Sequence, residues 1–166
     1  STHLAYLHKI NSLDVVEGFA NIQFAVNHTI LKVLKDNNVS EVGEFSSANQ
    51  ELITALAPDV LVNSGFSKDE SRLSSPILPI LEWKENSPLG RAEWLIVFGA
   101  ITQQLELAKN QFRRIEKSYM QAKQLVKGSS TSPSVLVGFP YQEQWYAPGG
   151  NSFMSTFIAD AGGTYV

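Results

Sequence analysis

Leu105, Ala108, Phe112, Ile115, Tyr119, Ala122 and Val126 follow one another at steps of three or four residues. That spacing lines them along one face of an α-helix. At 1.5 Å per residue, a helix of this extent is about 33 Å long, which is long for a small α/β domain. Lys109, Arg113, Arg114, Lys117, Lys123 and Lys127 fall on the opposite side and read as a solvated charged face.

The residues before this helix alternate between helical and extended patterns. Leu4, Leu7, His8 and Ile10 make a short helical face, and 14–20 (DVVEGFA) reads as a strand. Residues 23–37 carry Phe24, Val26, Ile30, Leu31 and Leu34 at helical spacing, with Asn37-Asn38 ending the run. Residues 39–43 form a short extended link. Ser47 with Gln50 fits a capping box opening a helix that Pro58 stops. Residues 59–62 and 77–81 read as strands, the second confined to an edge by Pro79. Leu73 sits in a short polar helical connector between them, and Pro88 starts a helical stretch that continues to 127. After it, 128–133 (GSSTSP) is a linker, 134–139 a strand, 141–150 an aromatic loop rich in glycine, and 152–161 a helix capped by Asn151 or Ser152.

This pattern predicts an α/β fold, a parallel-sheet, Rossmann-like lobe with helices on both faces. It divides into an N-terminal lobe (1–87), a helical segment (88–127) and one βα unit of a second lobe (128–166). One βα unit is not a domain, so the rest of that lobe is expected from residues beyond this sequence or from another chain. The unpaired strand edges of 132–166 predict self-association or disorder there. The start at Ser1 rather than Met, and the close at Val166 where a strand is beginning, read as a processed or excised chain.

Composition excludes several chemistries. Apolar residues make up 43% and charged residues 17%, a balance that folds rather than stays disordered. The net charge of −3 lacks the basic excess of a nucleic-acid binder. There are no cysteines, so disulfides, thiolate metal sites and thiol nucleophiles are ruled out. His3, His8 and His28 lie at no metal-site spacing, and neither a phosphate-loop motif nor a nucleophile elbow is present. Gly149-Gly150 reads as an ordinary turn. No catalytic residues, metal ligands or resident cofactor are expected, and the chain reads as a binding protein rather than an enzyme.

Candidate binding residues therefore come from the ends of strands, where open α/β sheets place their ligands. They are Thr2 and His3, Asn21 and Gln23, Asn63, Ser64 and Phe66, and Glu82 and Trp83. The loop after the linker adds Tyr141, Gln142, Gln144, Trp145 and Tyr146. Amides and aromatic rings on a rigid sheet suit a large, flat, partly apolar ligand.

The run Asn49-Gln50-Glu51-Leu52-Ile53-Thr54-Ala55-Leu56-Ala57-Pro58-Asp59-Val60-Leu61-Val62 resembles a signature of class III periplasmic substrate-binding proteins of ABC importers for iron–siderophores, haem and cobalamin. Segments 1–7 (STHLAYL), 88–94 (PLGRAEW), 145–152 (WYAPGGNS) and 160–163 (DAGG) resemble the same family, in order. The resemblance implies two α/β lobes joined by a rigid helix at 105–127, with ligand held between them. It implies an extracytoplasmic or periplasmic protein, compatible with a lipid anchor upstream, whose first strand and most of whose second lobe lie outside this sequence. The implied partners are an iron chelate, haem or a corrinoid, and an ABC importer permease. Glu51 becomes a permease-docking residue meeting arginines, in keeping with an acidic stretch 1–60. The implied ligand residues are Thr2, His3, Asn21, Asn63, Phe66 and Trp83, then Tyr141, Trp145 and Tyr146, with Arg91 able either to meet a carboxylate or to brace its helix. With haem, His3 or a tyrosine becomes an axial-ligand candidate. An enzyme, or a signalling relative with an altered pocket, on the same scaffold remains the alternative.

Overall fold

The computed structural model describes residues 2–44, 47–65 and 73–166, with the side chain of Glu44 left out. It divides into two compact units, Ser1–Leu81 with Leu95–Ala108, and Glu82–Trp94 with Lys109–Val166.

The first unit opens with α1 (Thr2–Lys9), whose Leu4 and Leu7 are buried. Where 14–20 reads as a strand, only β1 (Gly18–Phe19) is extended, and a 3-10 turn at Leu13–Val15 precedes it. The predicted helix over 23–37 is shorter. A 3-10 turn covers Ile22–Phe24, and α2 runs His28–Asp36. Asn27 decides where it starts, because its Oδ1 accepts from the N–H groups of Thr29 and Ile30 at 3.0 and 3.1 Å. Phe24 and Val26 consequently lie off the buried helix face and are 69% and 84% exposed, while Ile30 and Leu34 are buried.

β2 (Ser40–Glu41) pairs parallel with β1, and β3 (Gly43–Glu44) pairs antiparallel with β4 (Ser47–Ala48). Ser47 thus belongs to a strand rather than a capping box. The cap of α3 (Gln50–Leu56) is Asn49, whose Oδ1 accepts from Leu52 N–H at 3.0 Å. Ala57, left-handed at φ 47°, closes α3 directly before Pro58. β5 (Leu61–Asn63) pairs parallel with β6 (Ile77–Pro79), and just beyond Pro79 the Ile80 N–H donates to Asn63 C=O at 2.7 Å. The predicted connector around Leu73 falls mostly on 66–72, outside the described residues.

The helical stretch expected over 88–127 is two helices, α4 (Pro88–Ile101) and α5 (Leu105–Leu125). Gln103 takes a left-handed φ of 59°, and Gln104 N–H donates back to Gly99 C=O at 2.7 Å, a Schellman closure. A Cβ on Gly99 would collide with the side chain of Ala108. Any larger residue there would push the two helices apart. Beyond the break, α5 is one unbroken helix of 21 residues.

The buried residues of the first unit come from its helices and the segments that join them to the strands, with Leu4, Ile10, Ile80, Leu95 and Phe98 the largest fully buried side chains. Phe98 meets the rings of His3 and Tyr6 at centroid distances of 5.5 and 5.3 Å. Its truncation to alanine is worth about 3–5 kcal/mol.

In the second unit, β7 (Ser134–Val135) and β10 (Thr164–Tyr165) pair in parallel around α6 (Phe153–Asp160). Ser152 caps α6 in a reciprocal box with Ser155. Where a loop was expected, β8 (Phe139–Tyr141) and β9 (Gln144–Tyr146) form an antiparallel hairpin. Among the described residues no helix is long and apolar enough to cross a membrane.

Candidate functional site

The hairpin gathers five of the sequence candidates, Tyr141, Gln142, Gln144, Trp145 and Tyr146. Phe139 pairs with Tyr146, Pro140 with Trp145 and Tyr141 with Gln144, so Phe139, Tyr141 and Tyr146 share one face. The Phe139 and Tyr146 rings stack at 5.8 Å, and Tyr141 meets Tyr146 edge-on at 6.1 Å. Trp145 occupies the other face, against Gly138, where a Cβ would collide with the indole and with the Tyr146 carbonyl. These side chains are 61% (Phe139), 56% (Tyr141), 54% (Trp145) and 45% (Tyr146) exposed. Exposed rings thus stand on both faces of the hairpin, three on one and Trp145 on the other.

Gln142 and Glu143 form the turn with φ of 46° and 62°. Two successive positive φ values define the primed turn that matches strand twist, usually built from Asn and Gly. The available hairpin signal was weak: Phe139 and Tyr141 alternate about Pro140, while Gln144-Trp145-Tyr146 does not alternate. The missing Asn-Gly pair concealed it, and with it Phe139.

The hairpin leads into a loop tied down by the Tyr165 hydroxyl, which donates to Pro148 C=O. A Cβ on Gly149 or Gly150 would meet only open space, so close approach does not require glycine there.

Elsewhere in the second unit, a series of side chains braces its helices. The Arg91 guanidinium lies 4.1 Å from the Phe153 ring centroid, and its Nε donates to Glu82 C=O at 3.2 Å. Phe153 stacks on Phe157, and Phe157 on Tyr119. The Tyr119 hydroxyl donates to Asp160 Oδ2 at 2.7 Å, and Lys123 Nζ donates to Asp160 Oδ1. Burial, then the adjacent Asp160 carboxylate, push the Tyr119 hydroxyl well above the usual phenol range. Burial alone would raise the Asp160 carboxyl. The hydrogen bonds from Lys123 and Tyr119 outweigh it and hold Asp160 below the usual carboxylate range. Arg91 thus sits where it braces its helix, and Trp83, partly exposed, lies in the 3-10 turn Glu82–Lys84 beneath it.

In the first unit, Asn21 and Asn63 stand at the carboxyl ends of β1 and β5, as the strand-end reading expects. Asn21 is left-handed (φ 57°), and its Oδ1 accepts from Gln23 Nε2. Asn63 Oδ1 accepts from Gly65 N–H at 2.9 Å. Thr2 is exposed on α1, and His3 is half-buried against Phe98. Phe66 lies outside the described residues. Glu51 is exposed in the first turn of α3.

Glu41 was not among the sequence candidates. Its carboxylate takes the N–H groups of Asn21 and Ile22 at 2.7 and 2.8 Å and so fixes the turn after β1. An open depression of about 380 Å³ beside α3, bordered by Ile53, Thr54, Asp59 and Pro76, contains none of the candidates.

Alternating α and β elements and parallel strand pairs define an α/β protein. The chain belongs to the periplasmic binding protein family, whose model matches residues 1–166. It is similar to an uncharacterised lipoprotein, MJ0878, of Methanocaldococcus jannaschii, at 27% identity over 172 residues covering 95% of this chain and 41% of that one. Its fold is that of the siderophore-binding protein BauB, solved with a complex of two acinetobactin molecules and ferric iron (TM-score 0.70, 18% identity, 96% of this chain and 56% of that one). It is equally that of S. aureus IsdE complexed with haem (TM-score 0.70, 18% identity, 97% of this chain and 60% of that one). The chain therefore spans about two fifths of the curated relative and less than two thirds of either solved chain. The family resemblance and the α/β class read from the sequence are both borne out.

Proposed function

We propose that this chain is part of an extracytoplasmic substrate-binding protein that captures an iron chelate (a siderophore or haem) or a corrinoid and delivers it to the permease of an ABC importer. The observation that carries this reading is the exposed ring set Phe139, Tyr141 and Tyr146 on one face of a preformed hairpin, with Trp145 on the other face, in a chain of a binding-protein family. Such a surface takes the flat apolar face of a chelate without moving. Neighbours solved with a ferric siderophore complex and with haem support this ligand class, and the lipoprotein relative supports a location outside the cytoplasm. Asn21 and Asn63, held at strand ends, would supply polar contacts, together with Thr2, His3, Phe66 and Trp83. Arg91 would act by holding Phe153 and the turn that carries Trp83. Glu51, a carboxylate at a helix start, would meet a permease arginine.

The test is tryptophan fluorescence of the full-length protein titrated with haemin, a ferric catecholate, a ferric hydroxamate and cobalamin. Saturable quenching by one of them, cut at least tenfold in affinity by Tyr146→Ala, is expected. No quenching by any would overturn the reading. Glu51→Ala should leave that binding unchanged and lower uptake by cells.

A further inference from the structure

We infer that Asn27 is an acceptor for N-linked glycan, an inference that rests on the extracytoplasmic location proposed above. Asn27-His28-Thr29 is an Asn-X-Thr sequon with no proline at its centre. All three residues are exposed, and Val26 before them is exposed as well.

The geometry separates the two ends of the Asn27 amide. Oδ1 is committed to capping α2, accepting from Thr29 and Ile30 N–H. Among the described residues nothing accepts from Nδ2, which is the atom a sugar would occupy. In the transfer, Nδ2 forms a bond to the anomeric carbon of an oligosaccharide carried on a polyprenyl phosphate or diphosphate. The bond from that carbon to the phosphate oxygen breaks, and the lipid phosphate leaves with the electron pair. Nδ2 gives up one proton to a base and keeps the other. The Oδ1 cap is untouched, so the modified chain retains α2.

Asn38-Val39-Ser40 is a second sequon in a different setting. Asn38 is exposed, but Val39 and Ser40 are half-buried, and Ser40 N–H donates to Glu17 C=O at 2.9 Å where β2 pairs with β1. The same motif is thus presented freely at Asn27 and bound into a strand pair at Asn38. Occupancy at Asn27 should exceed that at Asn38.

The experiment is intact-mass and peptide mass spectrometry of the full-length protein from the cells that make it, with protease treatment of intact cells to place it. Whole-sugar mass increments on the Asn27 peptide are expected. They should vanish in Asn27→Asp and Thr29→Val and persist in Thr29→Ser. Asp retains a cap oxygen, so Asn27→Asp should melt within a few degrees of wild type, which separates loss of sugar from loss of fold. An unmodified Asn27 in a protease-accessible protein, or sugar on Asn38 alone, overturns the inference and leaves the location intact. A protein sheltered inside the cell, with Asn27 unmodified, overturns both.

Discussion

The Tyr119 hydroxyl donates to the Asp160 carboxylate at 2.7 Å, joining α5 to α6 across 41 residues of chain. Asp160 ends α6, where the helix dipole is negative and a carboxylate is disfavoured. Lys123 and Tyr119 offset that cost. Because the folded carboxyl titrates below its ordinary value, its contribution is fully present above the unfolded pKa of about 3.9 and is lost as pH falls through the folded one. Amides of α6 should therefore exchange faster at pH 3 than at pH 6 after correction for intrinsic rates. Asp160→Asn should remove most of that difference. Tyr119→Phe should cost about 1 kcal/mol in denaturant unfolding. Equal α6 protection at both pH values in the wild type would show the link to be idle.

Replacing Gln142-Glu143 by Asn-Gly should stabilise the hairpin. Both positions carry positive φ, which costs a side-chain-bearing residue about 1 kcal/mol and glycine almost nothing. Thermal or denaturant midpoints should rise, and the ring contacts of Tyr146 should persist by NMR. A lowered midpoint would mean that the native side chains contribute more than the turn geometry indicates.

Gly138→Ala should displace the Trp145 indole, since the added methyl falls on it and on the Tyr146 carbonyl. The predicted readout is a shift in tryptophan emission and, under the proposed function, weaker quenching by the ligand that quenches the wild type. Unchanged emission would place the indole elsewhere.

Glu41→Ala should loosen the turn at Asn21. Two charge-assisted bonds from adjacent N–H groups end on this carboxylate, and their exposure limits the loss to about 1 kcal/mol. Hydrogen exchange at Asn21 and Ile22 should rise severalfold in Glu41→Ala and less in Glu41→Gln, which keeps one acceptor.

Patterns internal to one element were legible from residue order alone. The apolar seam from Leu105 to Val126 announced α5, Pro58 the end of α3, and the alternation of elements the α/β class, because periodicity and backbone restriction act within a few neighbouring residues. The strand-end positions of Asn21 and Asn63 followed in the same way. What order alone did not reveal depends on partners distant in sequence or on competing local bonds. Asn27 and Asn49 took the caps that other residues could have held. Gln103 turned left-handed and divided the helical stretch in two. Phe139 joined Tyr141 and Tyr146 only once a turn of Gln and Glu had folded them together. The bond from Tyr119 to Asp160, and the hold of Glu41 on Asn21, exist only because folding brings side chains from separate elements within hydrogen-bonding distance, and no short-range pattern encodes that approach.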